Sequence, residues 1–202
     1  MGLFDALFRK QKYGEPVVIV SGLPRSGTSM MMKMLEAGGL AVQTDNIREA
    51  DIDNPKGYYE DERVKDLEKV EDKSWVQESR GKVLKVISFL LKDLPEDNHY
   101  KVVFMRRNLQ EIMASQNKMI DRLGSEDNTD DEQMLEIYRS HIATVKIMGR
   151  KLKNMDVMEI RYDDTISNPE HTATVVNDFL GGTLDTAAMK GVVDGSLYRN
   201  RR

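Results

Sequence analysis

The sequence predicts an α/β fold of three layers, in which helices flank a central and mainly parallel sheet. Two observations lead to this prediction. Short apolar runs rich in β-branched residues recur along the 202 residues, and helical patterns separate them. Continuous apolar runs are typical of strands buried on both faces, and strands that alternate with helices pair in parallel through right-handed crossovers.

Four apolar runs are predicted to be strands: Val17 to Val20, Val83 to Ile87, Val102 to Met105 and Val157 to Ile160. Four helices are predicted at residues 29–37, 108–123, 132–153 and 167–182. In the longest of them, apolar residues recur at three- and four-residue steps, as one buried helical face requires. The elements therefore alternate in the order that the predicted fold needs.

Cap and breaker residues support the bounds of these helices. Gly38 and Gly39 follow the first helix and can adopt the left-handed conformation that ends a helix. Asn108 is a favourable cap for the second helix. The stretch SNPEHTATVVNDFLGG has Pro169 in its first turn and paired glycines at its end, which marks both a start and a stop.

One domain is predicted over residues 1–202, because the length lies within single-domain range and the chain has no internal repeat. Residues 1–14 form an amphipathic N-terminal segment. We expect a short helix packed on its own domain there, with an interfacial membrane anchor as the alternative. Residues 193–202 form a basic tail.

Charge and cysteine content exclude several classes of function. The net charge is −4 and the pI is about 5.5, so no nucleic-acid partner is expected and any anion site must be local. The absence of cysteine excludes disulfides, thiolate metal sites and cysteine nucleophiles. No apolar stretch approaches the roughly 18 residues of a membrane span. We therefore expect no stable membrane insertion and a cytoplasmic location.

The stretch SGLPRSGTS, residues 21–29, joins the first predicted strand to the first predicted helix. Gly22 and Gly27 have the spacing of a phosphate-binding loop, although Thr28 stands where a Walker A loop has its lysine. Such a turn collects backbone N–H groups and the positive end of a helix around one point, which suits a tetrahedral anion. The predicted anion ligands are Arg25, Ser26, Gly27, Thr28 and Ser29. The alternative is a plain turn that contains two glycines.

A nucleoside or metabolite kinase with a degenerate loop is the competing interpretation of this stretch. Such enzymes place lysine on the terminal phosphates and hold magnesium with a carboxylate that ends a neighbouring strand. Here the lysine is absent, and the strand KVVFMRRN ends in Arg106 and Arg107. The pattern therefore favours a doubly anionic ligand that is bound without metal.

Three segments resemble the sulfotransferases that use 3′-phosphoadenosine 5′-phosphosulfate (PAPS). PRSGTS is similar to the loop that holds the 5′-phosphosulfate in that family. RRNLQEIMAS places Arg107 and Ser115 at the spacing of the arginine and serine that hold the 3′-phosphate. The resemblance implies a P-loop-like fold and PAPS as the co-substrate, with Arg25 acting in catalysis as well as in binding. A solvated surface position stays open as the alternative for Arg107.

The third segment, KVLKVISFLLKDLP, is similar to the one that carries a catalytic lysine and, two residues later, a catalytic histidine in cytosolic members. Lys85 matches the lysine, whereas Ile87 stands in the histidine's place. A solvated charge at a strand edge is the alternative for Lys85. The loop sequence PRSGT is more similar to the bacterial and tyrosylprotein branches, in which a carboxylate after the first helix is the base.

The resemblance leaves the identity of the base open, because the segment TDNIREADIDNPKGYYED contains many carboxylates. They are Asp45, Glu49, Asp51, Asp53, Glu60 and Asp61. Glu49 and Asp45 lie nearest the distance at which related carboxylates follow the loop, so they are the predicted bases. In the tail, Arg199 or Arg201 matches the region where relatives bring basic residues over the 3′-phosphate, with a frayed end as the alternative.

Together these features predict a sulfotransferase that moves a sulfuryl group from PAPS to a hydroxyl or amine. The acceptor is expected to be a small molecule, a carbohydrate or a peptide, and no metal site is expected. Two alternatives stay open besides this one: the kinase with a degenerate loop, and a non-catalytic nucleotide-binding module that retains the anion loop.

Overall fold

A computed structural model of the chain describes residues 9, 12–45, 59–123 and 130–194. Within these ranges one sheet contains five strands, and every pair of neighbours is parallel. The strands are β1 (Val17–Gly22), β2 (Val42–Gln43), β3 (Val83–Ile87), β4 (Tyr100–Arg106) and β5 (Met155–Arg161). Their order across the sheet is β2-β3-β1-β4-β5. The predicted α/β fold with a central parallel sheet is confirmed.

Six α-helices are present in the described ranges: α1 (Thr28–Ala37), α2 (Leu109–Leu123), α3 (Asp131–Lys151), α4 (Tyr162–Ser167), α5 (Pro169–Leu180) and α6 (Thr186–Gly191). Three 3₁₀ helices cover Glu62–Asp66, Ser74–Ser79 and Ser88–Asp93. The four predicted strands and four predicted helices all occur, with ends within two residues of the predicted ones. The short elements β2, α4 and α6 were not predicted, because they are too short to show a periodic pattern.

The sheet has a hydrophobic core on each face. Alternate residues of β1 point to opposite sides, so that Val17 and Ile19 join one core and Val18 and Val20 join the other. The first core lies under α2 and α3, and the second lies under α1, α5 and α6. The central strand is therefore apolar throughout, and the chain forms the three predicted layers.

Parallel pairing brings the carboxyl ends of the strands to one edge of the sheet. Gly22 at the end of β1 is in register with Ile87 on β3 and with Met105 on β4. Arg106 on β4 is in register with Arg161 on β5. Open α/β sheets bind ligands at this edge, and the predicted anion loop begins here.

The opposite edge of the sheet holds part of the N-terminal segment. Arg9 Nη1 donates to both carboxylate oxygens of Asp156 on β5, over 2.7 and 2.8 Å, and His99 Nε2 lies 2.9 Å from the same carboxylate. Burial acts to raise the pKa of Asp156, but the hydrogen bonds from His99 and Arg9 outweigh it and lower that pKa. At Arg9 the predicted amphipathic segment is thus tied to its own domain. No helix in the described ranges is both long and apolar enough to cross a bilayer.

Candidate functional site

The turn between β1 and α1 depends on Gly27. Gly27 caps α1 in the left-handed conformation, with φ 100° and ψ 18°. A Cβ atom at this position would lie 2.4 Å from Cδ2 of Tyr162, the first residue of α4. Only glycine suits both the backbone conformation and this close approach. Because α1 begins at Thr28, the amides of its first turn and the positive end of its dipole lie at the carboxyl edge of the sheet.

Ser26 occupies an internal position in the same turn. Its amide donates to the carbonyl of Leu23 over 3.2 Å. Its Oγ is buried, has no hydrogen-bond partner among the described residues, and lies only 2.4 Å from where a Cβ of Gly22 would be. The amide and the hydroxyl of Ser26 thus both point into the turn, where they help to set the shape of the loop. The predicted role of Ser26 as an anion ligand stays a prediction.

Arg25 connects the loop to α2. Its backbone is left-handed, with φ 66°, which is uncommon for a residue with a side chain. Its Nε donates to Oγ of Ser115 over 3.1 Å, and Ser115 is buried. The arginine predicted for one end of a nucleotide therefore touches the serine predicted for the other end.

Arg107 lies under the loop and is held by three contacts. Its Nη1 donates to the carbonyl oxygen of Arg25 over 3.1 Å, and its Nε donates to Oε2 of Glu111 over 3.0 Å. The guanidinium carbon lies 4.6 Å from the ring centre of Tyr162. The side chains of Arg107 and Glu111 are only 9% and 2% exposed, so Arg107 is not a solvated surface arginine. Arg107, the cation predicted at the end of the strand, thus helps to hold the loop in place.

Lys85 reaches the same loop from the neighbouring strand β3. Its Nζ donates to Oγ of Ser29 in the first turn of α1 over 3.3 Å, and to Oε1 of Glu60 over 3.3 Å. The side chains of Lys85 and Glu60 are 15% and 22% exposed. Lys85 is therefore not a solvated charge at a strand edge, but a half-buried cation beside a loop hydroxyl.

The other candidate carboxylates have different surroundings. Oδ2 of Asp45 accepts the backbone N–H of Glu62 over 2.6 Å. Asp61 is buried and receives hydrogen bonds on both oxygens from the guanidinium of Arg63. Glu49, the other predicted base, lies outside the described residues, as do Asp51 and Asp53. Glu60 is thus the described candidate that contacts Lys85.

Ile87 lies at the end of β3, two residues beyond Lys85 and on the same face of the sheet. Its side chain is 40% exposed, although it is apolar. His99 lies at the opposite edge of the sheet beside Asp156, and His141 on α3 stacks on Phe89, with ring centres 3.9 Å apart. The position that carries a histidine in the cytosolic relatives therefore presents an exposed methyl surface here.

Comparison with known proteins identifies the family. The family described as the sulfotransferase domain matches residues 15–202. The chain belongs to the sulfotransferase domain family. It is therefore related to enzymes, and the predicted family and enzyme class are confirmed. No curated protein has a sequence that matches this chain.

Two solved structures share the fold of this sulfotransferase-family chain. The sulfotransferase domain from the curacin biosynthetic pathway has a TM-score of 0.53 and 12% identity, over 91% of this chain and 79% of that one. The sulfotransferase from Alicyclobacillus acidocaldarius has a TM-score of 0.50 and 14% identity, over 86% of this chain and 85% of that one. At these identities the likeness shows a shared fold.

Several contacts of the candidate site were missed from the sequence. The pairing of Arg107 with Glu111 has a signal, because the two residues stand four positions apart at the start of a helix. The approach of Tyr162 to Gly27 and the contact of Glu60 with Lys85 have none, since each joins residues of distant segments. In the described ranges, no group of three or more His, Asp and Glu side chains is arranged to hold a metal ion.

Proposed function

We propose that this sulfotransferase moves a sulfuryl group from PAPS to a hydroxyl or amine of its acceptor. The observation that carries the proposal is that cations meet the loop through two different sets of contacts. Lys85 contacts Ser29, whereas Arg25 contacts Ser115 and accepts a hydrogen bond from Arg107 on its carbonyl oxygen. PAPS has a phosphosulfate at one end and a phosphate at the other, so two sets of cationic contacts suit it.

The first set of contacts would hold the phosphosulfate. The loop amides from Gly27 to Ser29 and the positive end of α1 suit a tetrahedral anion, and the close packing of Gly27 on Tyr162 keeps them in place. Lys85 adds a cation at the point where charge grows on the leaving phosphate, which is where fixed charges accelerate transfer most. Thr28 occupies the place of a Walker lysine, so Lys85 supplies that charge from β3 instead.

The second set of contacts would hold the 3′-phosphate. A guanidinium at the end of a strand beside a helix start can bind phosphate through two parallel hydrogen bonds. Arg107 is oriented for this by Glu111 and Tyr162, and Ser115 lies on the same helix as Glu111. Arg25 joins this end through Ser115, in addition to its predicted part in transfer. The basic residues Arg199 and Arg201 lie outside the described residues, and their part stays a prediction.

The sequence predicts Asp45 or Glu49 as the base, and the proposed function does not depend on which carboxylate acts. A small molecule, carbohydrate or peptide stays the predicted acceptor. A cytoplasmic location is likewise a prediction from composition. The kinase alternative is disfavoured because β4 ends in Arg106 and is followed by Arg107, and neither side chain offers a ligand to magnesium. The loss of the histidine at Ile87 is what favours the non-catalytic alternative.

Calorimetry separates these functions. The proposal expects adenosine 3′,5′-bisphosphate to bind with and without magnesium, and ATP to bind more weakly under both conditions. A kinase would instead bind ATP and require magnesium for it, which would overturn the proposal. Transfer of radiolabelled sulfate from PAPS into a heat-treated cell extract then distinguishes an enzyme from a binding module.

A further inference from the structure

Glu60 is placed by the end of β2. Its carbonyl oxygen accepts a hydrogen bond from Oγ1 of Thr44 over 2.8 Å and another from the amide of Asp45 over 3.4 Å. The carboxylate of Asp45 in turn accepts the amide of Glu62 over 2.6 Å. These bonds fix the backbone from the carbonyl of Glu60 to the amide of Glu62, which places the Glu60 side chain at the carboxyl edge of the sheet.

From that point the carboxylate of Glu60 reaches the centre of the site. Oε1 lies 3.3 Å from Nζ of Lys85, and the same Nζ lies 3.3 Å from Oγ of Ser29. The side chain keeps 22% of its surface exposed, so a bound molecule can approach the carboxylate. Lys85 thus connects Glu60 to the hydroxyl of Ser29, beside which the phosphosulfate is predicted to bind.

The neighbouring titratable groups have other partners. Asp61 is held on both oxygens by Arg63, and Asp45 holds the backbone of Glu62. Glu36 on α1 accepts the hydroxyl of Tyr59 over 2.7 Å. Ile87, in the place of the base of cytosolic relatives, has no group that accepts a proton. Among the described residues, Glu60 therefore has the position that a base requires.

We propose that Glu60 is the base of the transfer reaction, in place of the Asp45 and Glu49 predicted from the sequence. The carboxylate takes the proton of the acceptor hydroxyl or amine as the acceptor atom forms its bond to sulfur. The bond from sulfur to the 5′-phosphate oxygen breaks, and its electron pair stays on the leaving adenosine 3′,5′-bisphosphate. Lys85, which lies between Glu60 and Ser29, is placed to stabilise that charge.

This inference rests on the proposed sulfotransferase reaction, and it competes with a purely structural role. Glu60 would then serve only as the counter-ion that orients Lys85. Glutamine at this position can still accept a hydrogen bond from Lys85 but takes up no proton. Replacement by glutamine therefore separates the two roles.

The test compares Glu60→Gln with the wild type in two measurements. Transfer from radiolabelled PAPS into a heat-treated cell extract is expected to fall by about 10²- to 10⁴-fold, the usual contribution of a general base. Adenosine 3′,5′-bisphosphate is expected to bind at least as tightly as before, because Lys85 no longer has a competing carboxylate. The control is Glu62→Gln, whose exposed side chain pairs with Lys65 and which should transfer at the wild-type rate.

Chemical rescue gives an independent readout. Formate should restore part of the transfer by Glu60→Ala, since a free carboxylate can enter the space and accept the proton, and it should not change Lys85→Ala. Glu60→Asp keeps a carboxylate and should retain measurable transfer.

Each contrary result has its own meaning. Wild-type transfer by Glu60→Gln, or loss of nucleotide binding together with transfer, overturns the assignment of Glu60 and leaves the proposed function in place. A wild-type protein that binds no adenosine 3′,5′-bisphosphate overturns the proposed function itself. A wild-type protein that binds it but transfers no label overturns both the reaction and its base, while the nucleotide site remains.

Discussion

Nε of Arg25 donates a hydrogen bond to Oγ of Ser115 over 3.1 Å, across 90 positions of the sequence. The contact joins the turn after β1 to the second turn of α2. It places a loop guanidinium at the end of the site where Arg107 also lies, since Arg107 donates to the carbonyl of Arg25. The two arginines therefore lie in the same region, and under the proposed function their substitution should affect the same part of the ligand.

Substitution of Arg25 by glutamine should weaken the binding of adenosine 3′,5′-bisphosphate more than that of adenosine 5′-monophosphate. A hydrogen bond to a charged group contributes about 1.5–3 kcal/mol, which corresponds to about 10- to 150-fold in the dissociation constant. Calorimetry with the two nucleotides measures the difference. Arg106→Gln is the matched control, because Arg106 pairs with Glu159 and should leave both affinities unchanged. Equal losses for the two nucleotides would contradict the placement of Arg25 at the 3′-phosphate.

Gly27→Ala should destabilise the protein more than Gly39→Ala. Both glycines have positive φ, of 100° and 96°, so each substitution costs about 1–2 kcal/mol in backbone strain. A Cβ at Gly27 also meets Tyr162 at 2.4 Å, whereas one at Gly39 has nothing within 4 Å. Overpacking should add about 1–3 kcal/mol at Gly27 alone. Urea unfolding of both variants checks this, and equal losses would show that Tyr162 can move aside.

Glu111→Ala should lower the free energy of unfolding by about 3–5 kcal/mol, because it leaves Arg107 buried without its counter-ion. The exposed pair of Glu136 and Arg139 is the matched control, since both pairs lie on helices. Glu136→Ala should cost no more than about 0.5 kcal/mol. Chemical denaturation of the two variants gives both values. A small loss at Glu111 would mean that water replaces the carboxylate beside Arg107.

Asp61→Asn should reduce the loss of stability in acid. Burial acts to raise the pKa of Asp61, but the hydrogen bonds from Arg63 and Gln43 outweigh it, so the pKa lies below its usual range. A carboxylate with a lowered pKa stabilises the fold above its unfolded pKa of about 3.9, and that contribution is lost as the pH falls through the folded pKa. Unfolding free energies measured from neutral pH downward should therefore decline less steeply in the variant.

The substitution Arg63→Gln tests the cause of this effect. It removes the guanidinium that lowers the pKa of Asp61. The unfolding free energy of this variant should therefore also fall less steeply in acid than that of the wild type. If the unfolding free energy of both variants falls as steeply as that of the wild type, other carboxylates cause the loss of stability in acid.

Much of the fold could be predicted from the sequence because its signals are local. Val17 to Val20 and the helix that starts near Ser29 follow from apolar runs, caps and glycines within a few positions of one another. Arg107 and Ser115 were predicted together because their spacing resembles that of the arginine and serine of the family, and their role stays a prediction. The strand β2, with two residues, has no such signal, and neither does the order of strands across the sheet.

The identity of the base cannot be predicted from local sequence patterns. Six carboxylates follow the loop within one segment, and their spacing favoured Asp45 and Glu49. Those two assignments stay predictions. The structure brings Glu60 to Lys85, because the carbonyl of Glu60 is bonded to Thr44 and Asp45 at the end of β2 and β2 lies beside β3.

The sequence alone predicts a strand, a glycine turn and a helix that hold an anion, together with the cations that suit a sulfotransferase. Strand order and register then place Glu60 beside Lys85, Arg25 beside Ser115 and Tyr162 against Gly27. Periodicity and caps report only on neighbours along the chain. Contacts across the sheet edge arise from the packing of whole elements, so they appear only when the chain is folded.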